Sequence, residues 1–268
     1  MTLDRNLLAV NEVFTSIQGE GPRAGQRSYF VRLQGCPVKC SWCDTKYTWH
    51  PDHITQPVKM SLDAVQENLL ASKAQVMVLT GGEPLAFLSA SDEAAANPAL
   101  NALLRASCLG VVPEVETSVF YSKEVTPEVA ALTLRNVAKF VEIRSSGPRV
   151  EFRLSPKLPS ASVSDKLREV TARDVALLAK MLLGYRVSYV LKLVVDPTKA
   201  ADLDFVRDLM PLLDSSGVDR KLVWLMPLGS TQEALSANAP VVADLCLRYE
   251  CSYSHRLQVA LFGSERGR

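Results

Sequence analysis

This chain of 268 residues has almost no net charge, no long apolar runs and few histidines. Lys and Arg number 30 against 29 Asp and Glu, so no overall field draws the protein to nucleic acid or anionic lipid. No apolar run reaches the roughly 20 residues of a membrane helix. Residues 1–6 lack the basic start of a signal peptide, and the six cysteines form no disulfide framework. We therefore expect a cytoplasmic protein with reduced thiols and no direct membrane or nucleic-acid partner.

The composition, with 47% hydrophobic and 22% charged residues, is ordinary for a globular protein. Strand-like and helix-like segments alternate, which favours parallel β-α units. The predicted strands cover residues 13–17, 28–33, 75–79, 110–115, 150–154, 189–195, 221–225 and 255–261. The predicted helices cover residues 92–108, 174–183, 203–213 and 232–249, with a further helix capped by Ser61.

Polar clusters rich in Gly and Pro follow several of these strands, and the carboxyl ends of strands carry the active site in β/α barrels. No linker or repeat divides the chain. We therefore predict an α/β fold with one domain over residues 1–268. Its core is an incomplete (β/α)6 barrel, about residues 28–228, with an N-terminal addition and a C-terminal strand and tail that help to close the substrate side.

Three cysteines, Cys36, Cys40 and Cys43, follow the second predicted strand with C-x3-C-x2-C spacing. A structural zinc site or a ferredoxin cluster takes four ligands. Three thiolates on a four-iron cube leave one iron with an open position, which can bind a small molecule. The pattern therefore predicts a [4Fe-4S] cluster with an open iron.

The alternative is half of a zinc site, completed by a distant cysteine or histidine. The remaining candidates are Cys108, Cys246, Cys251, His50, His53 and His255. These cysteines are single, and their apolar surroundings predict helix or strand core. No second C-x2-C pair follows, so the pattern gives the zinc site little support.

The cysteine spacing resembles the cluster motif of radical S-adenosylmethionine (SAM) enzymes. Gly81, Gly82 and Glu83 end the next predicted strand, and Pro84 follows them, as in that superfamily. Glycine lets the backbone approach a ligand closely, and a carboxylate accepts hydrogen bonds from an ammonium group. The resemblance implies that the open iron chelates SAM, whose reductive cleavage yields a radical that abstracts hydrogen from carbon.

Two further strand ends carry candidate SAM contacts. Glu116 suits a ribose hydroxyl or caps the backbone, and the sequence leaves both interpretations open. Ser155, Pro156 and Lys157 form either a turn or a site for the SAM carboxylate, which the resemblance favours.

The motifs at residues 16–21 (Ser-Ile-Gln-Gly-Glu-Gly), 30–36 and 43–45 resemble the 7-carboxy-7-deazaguanine synthase family. The match extends through residues 80–84, 116–117, 155–157 and 226–227. The resemblance implies a lyase that contracts the ring of 6-carboxy-5,6,7,8-tetrahydropterin to 7-carboxy-7-deazaguanine, with loss of ammonia. The product enters 7-deazapurine (queuosine-type) biosynthesis, a branch of purine metabolism. SAM is then a recycled cofactor, and Mg²⁺ is required.

The resemblance also assigns residues to the substrate. The implied contacts are Ile17, Gln18, Gly19, Glu20, Arg32, Thr80 and Gln258. Arg32 meets the substrate carboxylate, because a guanidinium fork matches that group. Its alternative is a strand arginine that faces solvent. Gln258 stands near a position where some members use histidine, and His255 is an alternative.

The resemblance places Thr45 on a Mg²⁺ ligand, and a hydroxyl suits an ion that prefers oxygen. Without the resemblance, a helix N-cap would be the simpler role. The implied SAM neighbours are Trp42, Cys43, Asp44, Met226 and Pro227. Met226 departs from the family pattern, which has a polar residue at that position.

Residues 47–59 are a candidate surface for an electron donor such as flavodoxin or ferredoxin, although a solvated loop explains them as well. A homodimer is the commonest oligomer and is our expectation. Two other functions compete with the synthase. A glycyl-radical-enzyme activase shares the cysteine spacing but does not need the residue 16–21 motif, and a non-catalytic metal-binding module does not need Gly81 to Glu83.

Overall fold

The computed structural model describes residues 7–88, 97–163, 167, 169–263 and 265–267. The strands of this part are β1 (Leu7–Ile17), β2 (Arg27–Leu33), β3 (Val58–Ser61), β4 (Val76–Thr80), β5 (Val112–Thr117), β6 (Glu151–Leu154), β7 (Ser188–Val195), β8 (Val223–Pro227) and β9 (Ser252–Tyr253). The helices are α1 (Leu62–Ser72), α2 (Pro98–Cys108), α3 (Pro127–Glu142), α4 (Ala172–Tyr185), α5 (Ala200–Ser215), α6 (Gln232–Tyr249) and α7 (Leu257–Phe262).

The strands form one mixed sheet in the order β3-β1-β2-β4-β5-β6-β7-β8-β9. The neighbours from β2 to β9 pair in parallel, whereas β1 pairs antiparallel with β2 and β3. The parallel strands are joined by helices, as alternating β-α units require. The α/β fold with an incomplete barrel and additions at both ends is confirmed.

Buried apolar runs explain why these segments pair as central strands. All five residues of β4 are buried, and seven of the eight residues of β7 are buried. Strands covered on both faces carry such continuous runs instead of an alternating pattern. Ser61 caps α1, since its side chain accepts a hydrogen bond from the amide of Ala64 at 3.1 Å, as predicted.

The structure also corrects the predictions. The segment at residues 255–261 is not a strand, since α7 occupies most of it and the last strand is the short β9. Helix α3 and strand β3 were not predicted, and the predicted helix at residues 92–108 is seen from Pro98 onward, with residues 92–96 outside the described part. Cys108 is exposed and is not a core residue.

The parallel strands all deliver their carboxyl ends to the same edge of the sheet, because parallel neighbours run in one direction. The loop of the three cysteines follows β2, the Gly81–Gly82 turn follows β4, and Ser118 follows β5. Within the described ranges, no helix has both the length and the apolar character needed to cross a membrane.

Candidate active site

A cavity of about 460 Å³ lies at this edge of the sheet. The predicted residues that line it are Ile17, Gln18, Gly19, Glu20, Arg32, Cys36, Cys40, Trp42, Cys43, Asp44, Thr45, Thr80, Gly81, Gly82, Glu83, Glu116, Ser155, Lys157, Met226, Pro227 and Gln258. Pro156 and His255 are not among the lining residues. The fold therefore gathers residues from the first and last parts of the sequence around one space.

The cysteine loop is held against the segment that follows β6. Ser41 donates from its amide and its hydroxyl to the carbonyl of Ala161, at 2.8 and 3.0 Å. Val38, Cys40 and Ala161 form a small buried apolar cluster beneath the loop. This packing fixes the loop and leaves Cys36 and Cys43 only partly buried at the cavity wall.

The three thiols line one cavity and are a donor set that a [4Fe-4S] cluster can use. Among the described residues, no three His, Cys, Asp or Glu side chains converge as the ligands of one ion would. A four-iron cube takes each thiolate on a different iron, so it does not require such convergence. Burial raises the pKa of Cys36 to about 12 and also raises that of Cys40. These thiols therefore need a positive partner such as iron to be held as thiolates.

Two tryptophans lie within or beside the cysteine loop. Trp49 donates from Nε1 to Cys43 Sγ at 3.3 Å. The Nε1 of Trp42 is buried, and it finds no hydrogen-bond partner in the described part of the chain. Trp42 lines the cavity with the rest of its side chain, since this ring nitrogen has almost no accessible surface.

The turn after β4 requires glycine. Gly81 and Gly82 have φ values of +67° and +49°, a backbone conformation that residues with a side chain rarely adopt. A Cβ on Gly82 would stand 2.0 Å from the carbonyl oxygen of Gly35, and one on Gly81 would stand 1.8 Å from Cγ of Arg32. The turn can therefore pack against the cysteine loop, where the amide of Glu83 donates to the carbonyl of Gly35 at 3.0 Å.

The Glu83 carboxylate is buried and joins the ends of β4 and β5. It accepts hydrogen bonds from the hydroxyls of Thr117 and Ser118, from the amide of Ser118 at 2.8 Å, and from the amide of Leu85 at 3.0 Å. Glu83 therefore holds two strand ends together at the cavity wall.

Glu116 belongs to a polar network and does not act as a simple backbone cap. It accepts from Thr80 Oγ1 at 2.7 Å and from Gln18 Nε2 at 3.3 Å. Gln18 also donates to Glu114 at 2.7 Å, and its own oxygen accepts from the amide of Glu20. The side-chain amide of Gln18 thus makes three hydrogen bonds to protein groups, and these bonds hold the network in position.

Glu20 lies at the centre of a buried ionic cluster. Its carboxylate pairs with Lys192 and with Arg256 Nε at 3.3 Å, and it accepts from Gln258 Nε2 at 2.8 Å. Although burial alone would raise the pKa of Glu20, the charges of Lys192 and Arg256 lower it. Lys192 also lies 3.7 Å from Glu116, so one ammonium links the two carboxylates.

Lys192 and Arg256 were missed by the sequence analysis. Arg256 pairs with Asp44 beside the last cysteine, pairs with Glu20, and donates to the carbonyl of Gly229 at 2.6 Å. It therefore joins the cysteine loop, the N-terminal segment and the turn after β8. A lysine in the middle of a buried strand is the signal that could have revealed Lys192.

Arg32 does not face solvent. Its side chain is only 16% exposed, and its Nε pairs with Glu12 at 2.7 Å across the β1–β2 pair. Its remaining guanidinium nitrogens have no hydrogen bond within the described ranges. Burial acts to lower the pKa of Arg32, but Tyr47 and Glu12 raise it, so the guanidinium stays charged. A charged fork at a cavity wall is suited to a carboxylate ligand.

Thr45 does not act as a helix cap. It precedes a short 3-10 turn, Lys46–Thr48, but its side chain makes no capping hydrogen bond. Its Oγ1 lies 3.5 Å from Cys43 Sγ. The hydroxyl is therefore placed next to the cysteine loop and faces the same cavity.

Two further predicted residues lie near the loop. Lys157 stands 5.6 Å above the ring of Trp42 and lies 3.3 Å from Ser155 Oγ. Its ammonium is available to an anionic group in the cavity. Met226 is buried at the end of β8 and offers an apolar contact.

A loop of three cysteines after the first strand of a parallel β/α sheet, with a glycine turn from the next strand packed on it, defines a radical SAM enzyme. Residues 17–126 match the family described as "4Fe-4S single cluster domain". The chain is 32% identical to the 7-carboxy-7-deazaguanine synthase of Halobacterium salinarum, over 97% of this chain and 92% of the relative. It is 30% identical to that of Pyrobaculum aerophilum, over 97% and 96%. This chain belongs to the 7-carboxy-7-deazaguanine synthase family.

The fold is also similar to a solved structure. The crystal structure of QueE from Escherichia coli superposes with a TM-score of 0.59 at 22% identity, over 94% of each chain. Relatives that span nearly the whole chain carry the synthase name, so neither the activase nor the metal-binding module is favoured.

Proposed function

We propose that this protein is a radical SAM lyase that converts 6-carboxy-5,6,7,8-tetrahydropterin to 7-carboxy-7-deazaguanine in 7-deazapurine biosynthesis. One observation carries the proposal: the three cysteines and Arg32 line the same cavity. The cavity thus offers a place for a redox cluster and a place for an anionic substrate. The names of the full-length relatives support the same reaction.

The cluster and SAM supply the initiating chemistry, since reductive cleavage of SAM provides a radical that abstracts hydrogen from carbon. Cys36, Cys40 and Cys43 hold the cluster. Trp42 and Lys157, which contact each other at the cavity wall, would lie beside SAM, and the ammonium of Lys157 would suit its carboxylate. Because the Glu83 carboxylate is fully used by strand ends, we assign it to shaping this wall, while its turn lets the ligand approach closely.

At the substrate end, Arg32 pairs with the substrate carboxylate through its unpaired nitrogens. Thr80 contacts the substrate, and Glu116, which accepts from Thr80 and from Gln18, would accept from the ribose of SAM. Glu20 and Gln258 form a polar wall, whose charge is fixed by Lys192 and Arg256. Such a preorganised polar site positions the ring during rearrangement and excludes water.

Thr45 would hold a Mg²⁺ ion through its hydroxyl, at the wall of the cavity proposed for the substrate. Asp44 lies beside it and supplies negative charge near the ion, although its carboxylate pairs with Arg256. Held there, the ion would supply templating and Lewis-acid chemistry to the substrate.

A reduced flavodoxin or ferredoxin supplies the electron, and residues 47–59 next to the cysteine loop are the candidate docking surface. We also propose a cytoplasmic homodimer of one domain over residues 1–268, with the barrel core at about 28–228. Size-exclusion chromatography with light scattering tests the dimer.

The direct test is turnover. Protein reconstituted anaerobically with iron and sulfide is mixed with dithionite, SAM, Mg²⁺ and 6-carboxytetrahydropterin, and the products are separated by mass spectrometry. We expect 7-carboxy-7-deazaguanine and ammonia in equal amounts. Cleavage of SAM without any 7-carboxy-7-deazaguanine, under conditions in which a known family member makes product, would reject the proposed reaction.

A further inference from the structure

The C-terminal tail reaches back to the strand that faces Arg32. Arg266 donates from Nε to Glu12 Oε2 at 2.7 Å and from a terminal nitrogen to Asn11 Oδ1 at 2.7 Å. Its guanidinium carbon lies 3.9 Å from the ring centroid of Tyr47. The tail is therefore attached to β1 and to the loop after the cysteines by two hydrogen bonds and a cation-π contact.

Glu12 is the link between this tail and the cavity. Its side chain is 14% exposed, and its Oε1 accepts from Arg32 Nε at 2.7 Å and from the hydroxyl of Tyr47 at 2.9 Å. Its other oxygen accepts from Arg266. One carboxylate thus shares its two oxygens between the cavity arginine and the tail arginine.

This division of the carboxylate has a consequence for Arg32. While Arg266 holds Oε2, Glu12 engages Arg32 through Nε. The terminal nitrogens of Arg32, a residue of the cavity wall, then have no hydrogen bond within the described ranges. Without Arg266, Glu12 can turn and bind Arg32 with both oxygens, the geometry that guanidinium and carboxylate groups favour. The internal carboxylate would then compete with a carboxylate in the cavity.

We propose that Arg266 is a positioning residue that keeps Glu12 from competing with the ligand carboxylate for Arg32, an inference that rests on the proposed binding of the substrate by Arg32. The tail then sets affinity for carboxylated pterins without contacting them. Arg266 affects only ligands that carry the carboxylate. It changes their affinity and leaves the rate of the chemical step unchanged.

The experiment uses the reconstituted, SAM-loaded full-length protein and two probes, pterin-6-carboxylate and unsubstituted pterin, with binding measured anaerobically by calorimetry. In Arg266→Ala, we expect the Kd of pterin-6-carboxylate to rise about threefold to tenfold, in the lower part of the range of coupling within one side-chain network. The Kd of pterin should not change. A chain ending at Gly263 should behave like Arg266→Ala. Arg248→Ala, at an exposed arginine outside the cavity, is the matched control and should bind both probes like wild type.

A double-mutant cycle tests the mechanism. In a Glu12→Gln background the competing anion is absent, so adding Arg266→Ala should leave the Kd of pterin-6-carboxylate unchanged. An equal rise in both backgrounds, an unchanged Kd in Arg266→Ala, or wild-type protein that binds the two probes alike would each overturn the proposal. Failure of the proposed reaction is a separate result, since it appears as absence of product from wild type, whereas these binding measurements need no turnover.

Discussion

At the scale of residues, the clustered cysteines need iron to be held as thiolates. Burial is the main cause that raises the pKa of Cys36 and of Cys40, so neither is a thiolate at neutral pH without a positive partner. Cluster assembly therefore has to release protons from these thiols. Cys108, exposed at the end of α2, and the pair Cys246 and Cys251 lie outside the cavity lining.

Replacing each of the six cysteines with alanine tests this assignment. We expect Cys36→Ala, Cys40→Ala and Cys43→Ala to lose the cluster and reductive SAM cleavage, because a three-thiolate site has no spare ligand. Iron content and 5'-deoxyadenosine formation after reconstitution are the measurements. Cys108→Ala and Cys246→Ala are the controls and should keep both; full cleavage in Cys40→Ala would show that the cluster is held elsewhere.

Substitutions at Thr45 distinguish a metal ligand from a residue with only a local structural role. Thr45→Ala should keep the cluster and SAM cleavage but lose product formation and its dependence on Mg²⁺, because the hydroxyl is the proposed ligand. Thr45→Ser keeps the hydroxyl and should keep both. A helix cap would instead lose about 1 kcal/mol of stability with alanine, and the structure shows no such cap. Product is measured against Mg²⁺ concentration, and normal Mg²⁺ activation in Thr45→Ala would contradict the assignment.

At the scale of elements, the site depends on loops that pack on one another at the ends of β2 and β4. The carbonyl of Gly35 accepts from Glu83 at the place where a Cβ on Gly82 would collide with it. The cysteine loop therefore takes its position partly from the neighbouring turn.

Gly82→Ala should disturb cluster binding as well as stability. The left-handed backbone alone costs about 1–2 kcal/mol for a residue with a Cβ, and the collision with Gly35 should add about 1–3 kcal/mol. Gly217→Ala is the matched control, since Gly217 has a φ of +70° and nothing lies within 4 Å of its added Cβ. Urea unfolding and iron content are compared. Equal losses of stability and full iron content in both variants would show that the close packing does not matter.

The element-level predictions from sequence succeeded where the local pattern was unambiguous. The segments around β4 and β7 are mainly apolar, broken inside β7 only by Lys192, and α6 was predicted with its observed bounds. Helix α3 was missed although Thr126 caps it and Pro127 opens it, both of which are start signals. The segment of α7 was predicted as part of a strand over residues 255–261, and the six residues of α7 are too few to reveal a helical period.

At the scale of the whole molecule, ionic contacts join segments far apart in the chain around the cavity. Glu20 reaches Lys192 and Arg256, which are 172 and 236 residues away. No local sequence pattern contains such distant pairs. The family resemblance was enough to identify Glu20, but its partners could be identified only from the folded structure. The same reason explains why Glu12 and Arg266 were not predicted.

This ionic cluster should make stability depend on pH. The folded protein lowers the pKa of Glu20, so the contribution of its carboxylate is complete above the ordinary glutamate pKa. That contribution is lost as pH falls from there through the lowered pKa. We expect the difference in free energy of unfolding between wild type and Glu20→Gln, measured on cluster-free protein by urea titration, to shrink as pH drops from 7 to below 4. A difference that stays constant would contradict the ionic role of Glu20.

The central claim is that one cavity holds two separable parts, a cluster end and a carboxylate end that contains Arg32. The most direct test measures 5'-deoxyadenosine and 7-carboxy-7-deazaguanine side by side in wild type and Arg32→Ala, over a range of 6-carboxytetrahydropterin concentrations. Loss of the partner of a buried anion costs on the order of 2–5 kcal/mol. We predict that Arg32→Ala retains its cluster and slow uncoupled SAM cleavage, while the KM for the pterin rises steeply or product disappears. An unchanged KM in Arg32→Ala would contradict the account.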